Sequence, residues 1–401
     1  QPDVGFAGTD SFTYVAADGQ AESAPATVTL NVAWQYHTFA QLETRLQDYA
    51  ARFPGICRLT SIGQSVEGRD LWVLRITDNP DVEEDEPEVR YIASIHGNEA
   101  IATEMTLAFV DLLLHEYNFD PRITELVDET DLSVLLSMNP DGLTTDRMNA
   151  NGVDLNRDFP QPESEAIGNL FDGPAMDVTG REPETQAVMQ WCAANSAVVG
   201  IDFHSPFGVA MYPYFGQTTD APDKALFEAL GHVYADVNGD PMGVWAAWVT
   251  YLAHGSLLDW AYAYLGEKHL LVEFPNGYMP STEDLGEYWQ KNAESMLAYT
   301  ETVQSMGVRG VVTGEGGDPV FAKVAVAGNA QPVFSDPDVG DYQRMLLPGT
   351  YTLTFSAVGY DDVVVEDVVV EAGTRTQLDV QLGDHENTPP VADDQAVSVY
   401  E

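Results

Sequence analysis

The chain has 401 residues, more than one core usually organises, so two or more domains are expected. Its 64 acidic residues against 17 Lys and Arg leave a net charge of -47, a field that repels nucleic acid and anionic membranes and removes both as partners. Hydrophobic residues at 44% and aromatics at 10% can fill sizeable cores, which argues against disorder for most of the chain. A well-solvated acidic surface, as in proteins from saline surroundings, fits this composition. No run approaches the length of a membrane-spanning helix, so no membrane insertion is expected.

Residues 1–33 contain two alternating stretches, SFTYVA and ATVTLNV, around a Gly/Ser/Pro-containing loop, which predicts two strands. Two strands are too few for a stable domain. The segment resembles the closing hairpin of the cadherin-like or immunoglobulin-like repeats of large bacterial surface proteins. The far end, 384–401, includes NTPPVADDQAVSVYE and reads as a linker and the opening strand of another such repeat. The resemblance implies a piece of a larger multidomain polypeptide, secreted or held at a bacterial cell surface. The basic-then-apolar layout of a signal peptide is not seen at the N-terminus.

From 34 to 306, apolar runs (LWVLRI, VRYIASI, LSVLLSM, VVGIDFH, HLLVEF) alternate with helical patterns, and the segment closes on a helical stretch at 283–306. That alternation predicts an α/β domain with a mixed, mostly parallel sheet flanked by helices. From 307 to 383 the period changes to two, in GVVTGEGGDPVFAKVAVAG, GTYTLTFSAVGY and DVVVEAGTRTQLDVQLG, which predicts a small β-sandwich. The acidic stretch DNPDVEEDEPE (78–88) reads as a solvated loop, with calcium as the less favoured alternative. Cys57 and Cys192 are far apart and form no CxxC motif, which is compatible with two buried thiols or with one disulfide.

Ligands in open α/β sheets collect at the carboxyl ends of strands. Four of the apolar runs end in polar residues of suitable chemistry: His96, Asn139, His204 and Glu273. In SIHGNEA (94–100) a glutamate, Glu99, follows His96 by three residues, so one turn offers two metal donors. With His204 this makes two histidines and a glutamate, a set that holds catalytic zinc and leaves a position for water. The alternative is a polar turn with an acid near a helix start, where the macrodipole favours it. A thermolysin-type HExxH helix is missing. The loop RMNANGVDLNR (147–157) then concentrates Arg147, Asn156 and Arg157 in a chain poor in basic residues. Two guanidiniums and an amide suit the fork geometry of a carboxylate.

Together SIGQSVEGRDLWVLRI, SIHGNEA, MNPDG, RMNANGVDLNRDFP, DFHS…MYPY and YLAHGSLLDW…LLVEF resemble the zinc metallocarboxypeptidases, nearest to the N/E subfamily that includes carboxypeptidases D, E and N. That subfamily carries a transthyretin-like sandwich directly after the catalytic domain, where 307–383 lies. The resemblance implies one zinc ion on His96, Glu99 and His204, with Glu273 as general base and Arg147 polarising the scissile carbonyl. It implies that Asn156 and Arg157 bind the terminal carboxylate of a peptide or protein, and that Tyr251 closes over the bound chain end. Asn139, in MNPDG, is expected to shape a turn, and His254 to be a loop residue. Relatives that cut after lysine or arginine place an acid after YPY, where this chain has Phe215, and often a glutamine where GSLLDW has Leu258. An apolar pocket would leave a cationic side chain unpaired, so apolar or aromatic C-terminal residues are expected substrates. Two rival expectations are a peptidase of bacterial cell-wall stem peptides and a non-catalytic, zinc-containing surface or adhesion module.

Overall fold

The structure, a computed structural model, describes residues 8–162 and 177–384. The repeat strand expected in 385–401 therefore lies outside the described residues, as do the first residues of the chain. The N-terminal segment forms an antiparallel hairpin of β1 (Gly8–Tyr14) and β2 (Ala26–Val32), in register from Gly8↔Val32 to Tyr14↔Ala26. The first strand starts three residues before the expected SFTYVA. Phe12, Tyr14 and Leu30 are exposed, because the hairpin has no second layer among the described residues.

The α/β body is built on one eight-stranded sheet. In chain order its strands are β3 (Cys57–Gln64), β4 (Asp70–Ile76), β5 (Glu88–Ala93), β6 (Asp131–Leu135), β7 (Val199–His204), β8 (Val209–Tyr212), β9 (Gly243–Ala246) and β10 (Lys268–Glu273). Their spatial order is β3-β4-β6-β5-β7-β10-β8-β9. The pairings β6–β5, β5–β7, β7–β10 and β8–β9 are parallel and the other three antiparallel. Strands β7 and β10 are buried along their whole length, and the polar residues among them, Asp202, Lys268 and His269, are held in ion pairs.

Helices α1 (Phe39–Arg52), α2 (Ile101–Glu116), α3 (Pro121–Asp128), α4 (Pro183–Ala194), α5 (Lys224–Asp236), α6 (Leu257–Trp260) and α7 (Leu285–Thr300) cover the sheet. Helix α1 starts on a capping box of Thr38 and Gln41. Helix α2 is buried along its first ten residues, Ile101 to Val110, and only Asp111, Leu112, His115 and Glu116 near its end are half-buried. The helical stretch expected over 283–306 is divided: α7 ends at Thr300 and a separate single turn spans Thr302–Ser305. Thr300 and Thr302 donate their hydroxyls to the carbonyls of Met296 and Tyr299, 2.8 and 2.7 Å away, where such side chains compete with the helix's own bonding. No described helix is long and apolar enough to cross a membrane. Cys57 and Cys192 are both buried free thiols.

The C-terminal sandwich packs a sheet of β13 (Asn329–Phe334), β12 (Lys323–Val326), β15 (Gly349–Ser356) and β16 (Val363–Val370) against one of β14 (Asp341–Arg344), β11 (Val308–Thr313) and the short β17 (Thr376–Gln377) and β18 (Val380–Gln381). Its core holds Val312, Val324, Leu353 and Phe355, all essentially fully buried. It is tied to the α/β body by ions as well as by packing. The buried Arg344 of β14 donates to Asp223 at 2.8 Å, Asn329 donates to the same carboxylate at 2.6 Å, and Lys268 lies 3.3 Å from it.

Candidate active site and metal centre

Three adjacent parallel strands deliver the site. His204 ends β7 and Glu273 ends β10, and the two are register partners. Three residues past the end of β5, after Ser94 in a left-handed turn (φ 49°), His96 folds back over the sheet edge. Glu99 closes this turn just before α2 begins. The turn is tight against its neighbour: a Cβ at Gly97 would stand 2.2 Å from the Gly142 carbonyl carbon, so a side chain there would push the 139–148 loop away.

His96, Glu99 and His204 are all buried, and one donor atom from each lies within 4.8 Å of the others. Nδ1 of His96 is 2.9 Å from one Glu99 oxygen, and Nδ1 of His204 is 2.8 Å from the other. The opposite ring nitrogens are held by carboxylates, His96 Nε2 by Asp154 at 3.0 Å and His204 Nε2 by Asp202 at 2.9 Å. Burial works to raise the Glu99 pKa, but the two imidazoles outweigh it and hold it down to about 2. Two imidazole nitrogens and an ionised carboxylate facing one point, each ring fixed from behind by an acid, are a donor set that suits zinc.

Around this point stand the other expected residues. Arg147 reaches Glu99 with Nη1 at 3.3 Å and Asp154 with Nη2 at 3.0 Å. Asn139 is fully buried and shapes the turn as expected, accepting from Gly142 N–H at 2.9 Å; it also donates to the Arg147 carbonyl at 3.2 Å. Asn156 and Arg157 share a 3-10 turn, Leu155–Arg157. Asn156 accepts from Leu257 N–H at 3.0 Å, with its amide nitrogen 3.3 Å from His204 Nε2. The Arg157 guanidinium lies over the Phe215 ring, 5.6 Å from its centroid, and donates to the Tyr251 hydroxyl at 3.4 Å. Tyr251 is 45% exposed and leans on Phe215, their ring centroids 4.9 Å apart. Phe215 and Leu258 belong to a small apolar cluster with Val209, Met211, Ala247, Ala253 and Leu271, apart from the main core. Glu273 is buried, its Oε2 has no hydrogen-bond partner among the described residues, and burial pushes its pKa up to about 7. His254 is exposed in a bend.

Four supporting residues were not singled out from the sequence. Asp154 and Asp202 sit inside the quoted motifs, and an acid two residues before a strand-end histidine is the signal that points to Asp202. Asp259 is buried and accepts the backbone N–H groups of Phe215 and Gly216, each at 2.7 Å, so it sets the turn that carries Phe215. Gln161 accepts from Gly255 N–H at 2.8 Å. In the acidic stretch, Asp78, Glu84 and Glu86 come within 4.8 Å of one another, but they are partly or fully exposed and no further observation points to a cation there.

Comparison with known proteins agrees with this geometry. Residues 42–295 match the family model described as zinc carboxypeptidase, 307–383 the carboxypeptidase regulatory-like domain, and 1–31 a bacterial Ig domain. Carboxypeptidase D of Anas platyrhynchos is 33% identical over 398 residues, a match covering 89% of this chain but 28% of that protein. The chain thus spans about a quarter of the length of such relatives. The human carboxypeptidase N catalytic chain is 33% identical over 391 residues, covering 85% of this chain and 84% of the relative. Among solved structures, thrombin activatable fibrinolysis inhibitor superposes with a TM-score of 0.59 at 20% identity, covering 67% of this chain and 74% of that one, which bears on the fold alone. With the family model covering well over half of the chain and a relative matched along most of its own length, this chain belongs to the zinc carboxypeptidase family.

Proposed function

We propose that the chain is a zinc-dependent carboxypeptidase that hydrolyses the last peptide bond of peptides or proteins, with a preference for apolar or aromatic C-terminal residues. The observation that carries this reading is the convergence of His96, Glu99 and His204 within 4.8 Å, with a buried, unpartnered Glu273 oxygen on the neighbouring strand end. These three residues would hold the ion, which supplies a Lewis acid for the scissile carbonyl and water acidified to a pKa of about 7.

Glu273 takes the proton of the attacking water and returns it to the leaving amine. Burial suits it to this task, because a carboxylate poised near neutrality both accepts and releases a proton. Arg147 stabilises the oxyanion, where loss of one preorganised donor costs about 3–4 kcal/mol. Asn156 and Arg157 seat the terminal carboxylate, which explains rejection of internal bonds, and Tyr251 covers the seated end. Phe215 and Leu258 give the side-chain pocket its apolar character. The match to a bacterial Ig domain supports placing the protein outside the cell or at its surface.

The test is Glu273→Gln with zinc content measured beside turnover. We expect zinc retained and turnover reduced by roughly 10²–10⁴-fold; unchanged turnover would remove the mechanism. A kinetic comparison of peptides ending in Phe, Leu and Arg checks the pocket, and faster cleavage of the Arg peptide would overturn the preference.

A further inference from the structure

At the opposite edge of the sheet from the active site, a cavity of about 380 Å³ lies between the α/β body and the sandwich. Glu88 and Lys268, the first residues of β5 and β10, form its floor, so it faces the amino ends of the strands whose carboxyl ends carry His96 and Glu273. Its size falls at the small end of ligand pockets, which run from about 300 to 1,000 Å³.

The walls are mainly apolar, and two of them are flat. Phe321 and Phe334 stack with centroids 5.6 Å apart and planes 7° from parallel, and both line the space. Asp341 also lines it; it is 7% exposed, and its Oδ1 has no hydrogen-bond partner among the described residues. Lys268 does not neutralise this charge, because its ammonium donates to the Gly266 carbonyl at 2.7 Å and lies 3.3 Å from Asp223. Arg309 attracts the Asp341 charge but is itself bound to Asp85. Aromatic faces beside a buried carboxylate, Asp341, and a half-buried one, Glu88, are an environment that receives an organic cation.

We propose that this interdomain cavity binds a compact apolar or aromatic molecule bearing one protonated amine, its body against Phe321 and Phe334 and its ammonium at Asp341 and Glu88. Proton affinity in the wall is consistent with such a guest. Burial, with added repulsion from Asp85 and Asp336, pushes Asp341 up to about 8, and burial followed by repulsion from Asp341 raises Glu88. A cation would relieve the cost of keeping these acids charged. The proposal does not depend on the catalytic reading, because no residue of the active site takes part in it.

Calorimetric titration of the full chain with phenethylamine, 2-phenylethanol and 3-phenylpropionate at mildly alkaline pH tests it. The amine is expected to bind at one-to-one stoichiometry, the alcohol at least about tenfold more weakly, and the acid not at all at this cavity. Asp341→Asn should erase the advantage of the amine over the alcohol. Ala193→Phe, which fills the space from α4, should remove the binding of both; peptide hydrolysis in both variants should stay at the wild-type rate. Equal binding of amine and alcohol, amine binding untouched by Ala193→Phe, or no heat from the amine at millimolar concentration would each overturn the proposal. Should Asp341→Asn fail to fold, the comparison of probes and the Ala193→Phe variant decide it alone.

Discussion

Asp154 serves two masters at once. One of its oxygens fixes His96 Nε2 at 3.0 Å while the other takes Arg147 Nη2 at 3.0 Å, so a single carboxylate orients both an imidazole of the proposed metal centre and the guanidinium proposed to stabilise the oxyanion. Burial would raise its pKa, yet His96, Arg147 and Arg157 hold it well below the usual carboxylate range. An amide in its place has one acceptor and must abandon one partner. Asp154→Asn is therefore expected to weaken zinc binding about 10–100-fold, read by competition with a chelator, and to lower kcat as well. Zinc affinity equal to wild type would show that the ring is held without it.

The junction between α5, β10 and β14 shows how elements from two bodies are joined. Asp223, at the start of α5, is buried with Lys268 and Arg344 as partners, and Asn329 adds a third contact from β13. Burial alone would raise its pKa, but Lys268 and Arg344 drive it far below the carboxylate range. Asp223→Ala strands two buried cations, so a loss of about 3–5 kcal/mol in urea unfolding is expected. The sign of the pH dependence follows from the depressed value. The stabilisation is fully present above the unfolded-state pKa of about 3.9 and is lost as pH falls further toward the folded value. The stability gap between wild type and Asp223→Asn should accordingly shrink as pH falls below about pH 4, and shrink again as pH rises through about 8, where Lys268 gives up its charge. A gap that stays constant down to pH 2 would mean that the carboxylate contributes no charge to the joint.

At the scale of the whole molecule the dominant quantity is the net charge of -47. Mutual repulsion among so many carboxylates opposes the compact state, and salt shortens its range from about 10 Å at 0.1 M to about 3 Å at 1 M. Thermal unfolding is therefore expected at higher temperature in molar NaCl than in dilute buffer. A melting temperature that falls with added salt would remove the saline reading of the composition.

Much of this architecture was written in local patterns. Largely apolar runs followed by polar residues marked β5, β7 and β10 and the strand ends that carry His96, His204 and Glu273, because a buried parallel strand has no solvent-facing side that requires alternation. The change of period near residue 307 marked the sandwich for the same kind of reason: alternation is what a half-buried strand requires. The division of the last helix at Glu301 was not legible, since no Gly or Pro marks it. Nor were the roles of Asp259 and Asp223, whose partners lie on other elements and become neighbours only when the chain folds. Sequence alone determined which side chains are candidates to bind a metal and seat a carboxylate. Tertiary structure decided that the donor atoms of His96, Glu99 and His204 meet within one small sphere, and that a second, mainly apolar cavity opens behind the same strands, because distance between residues remote in sequence is a property of packing and not of order along the chain.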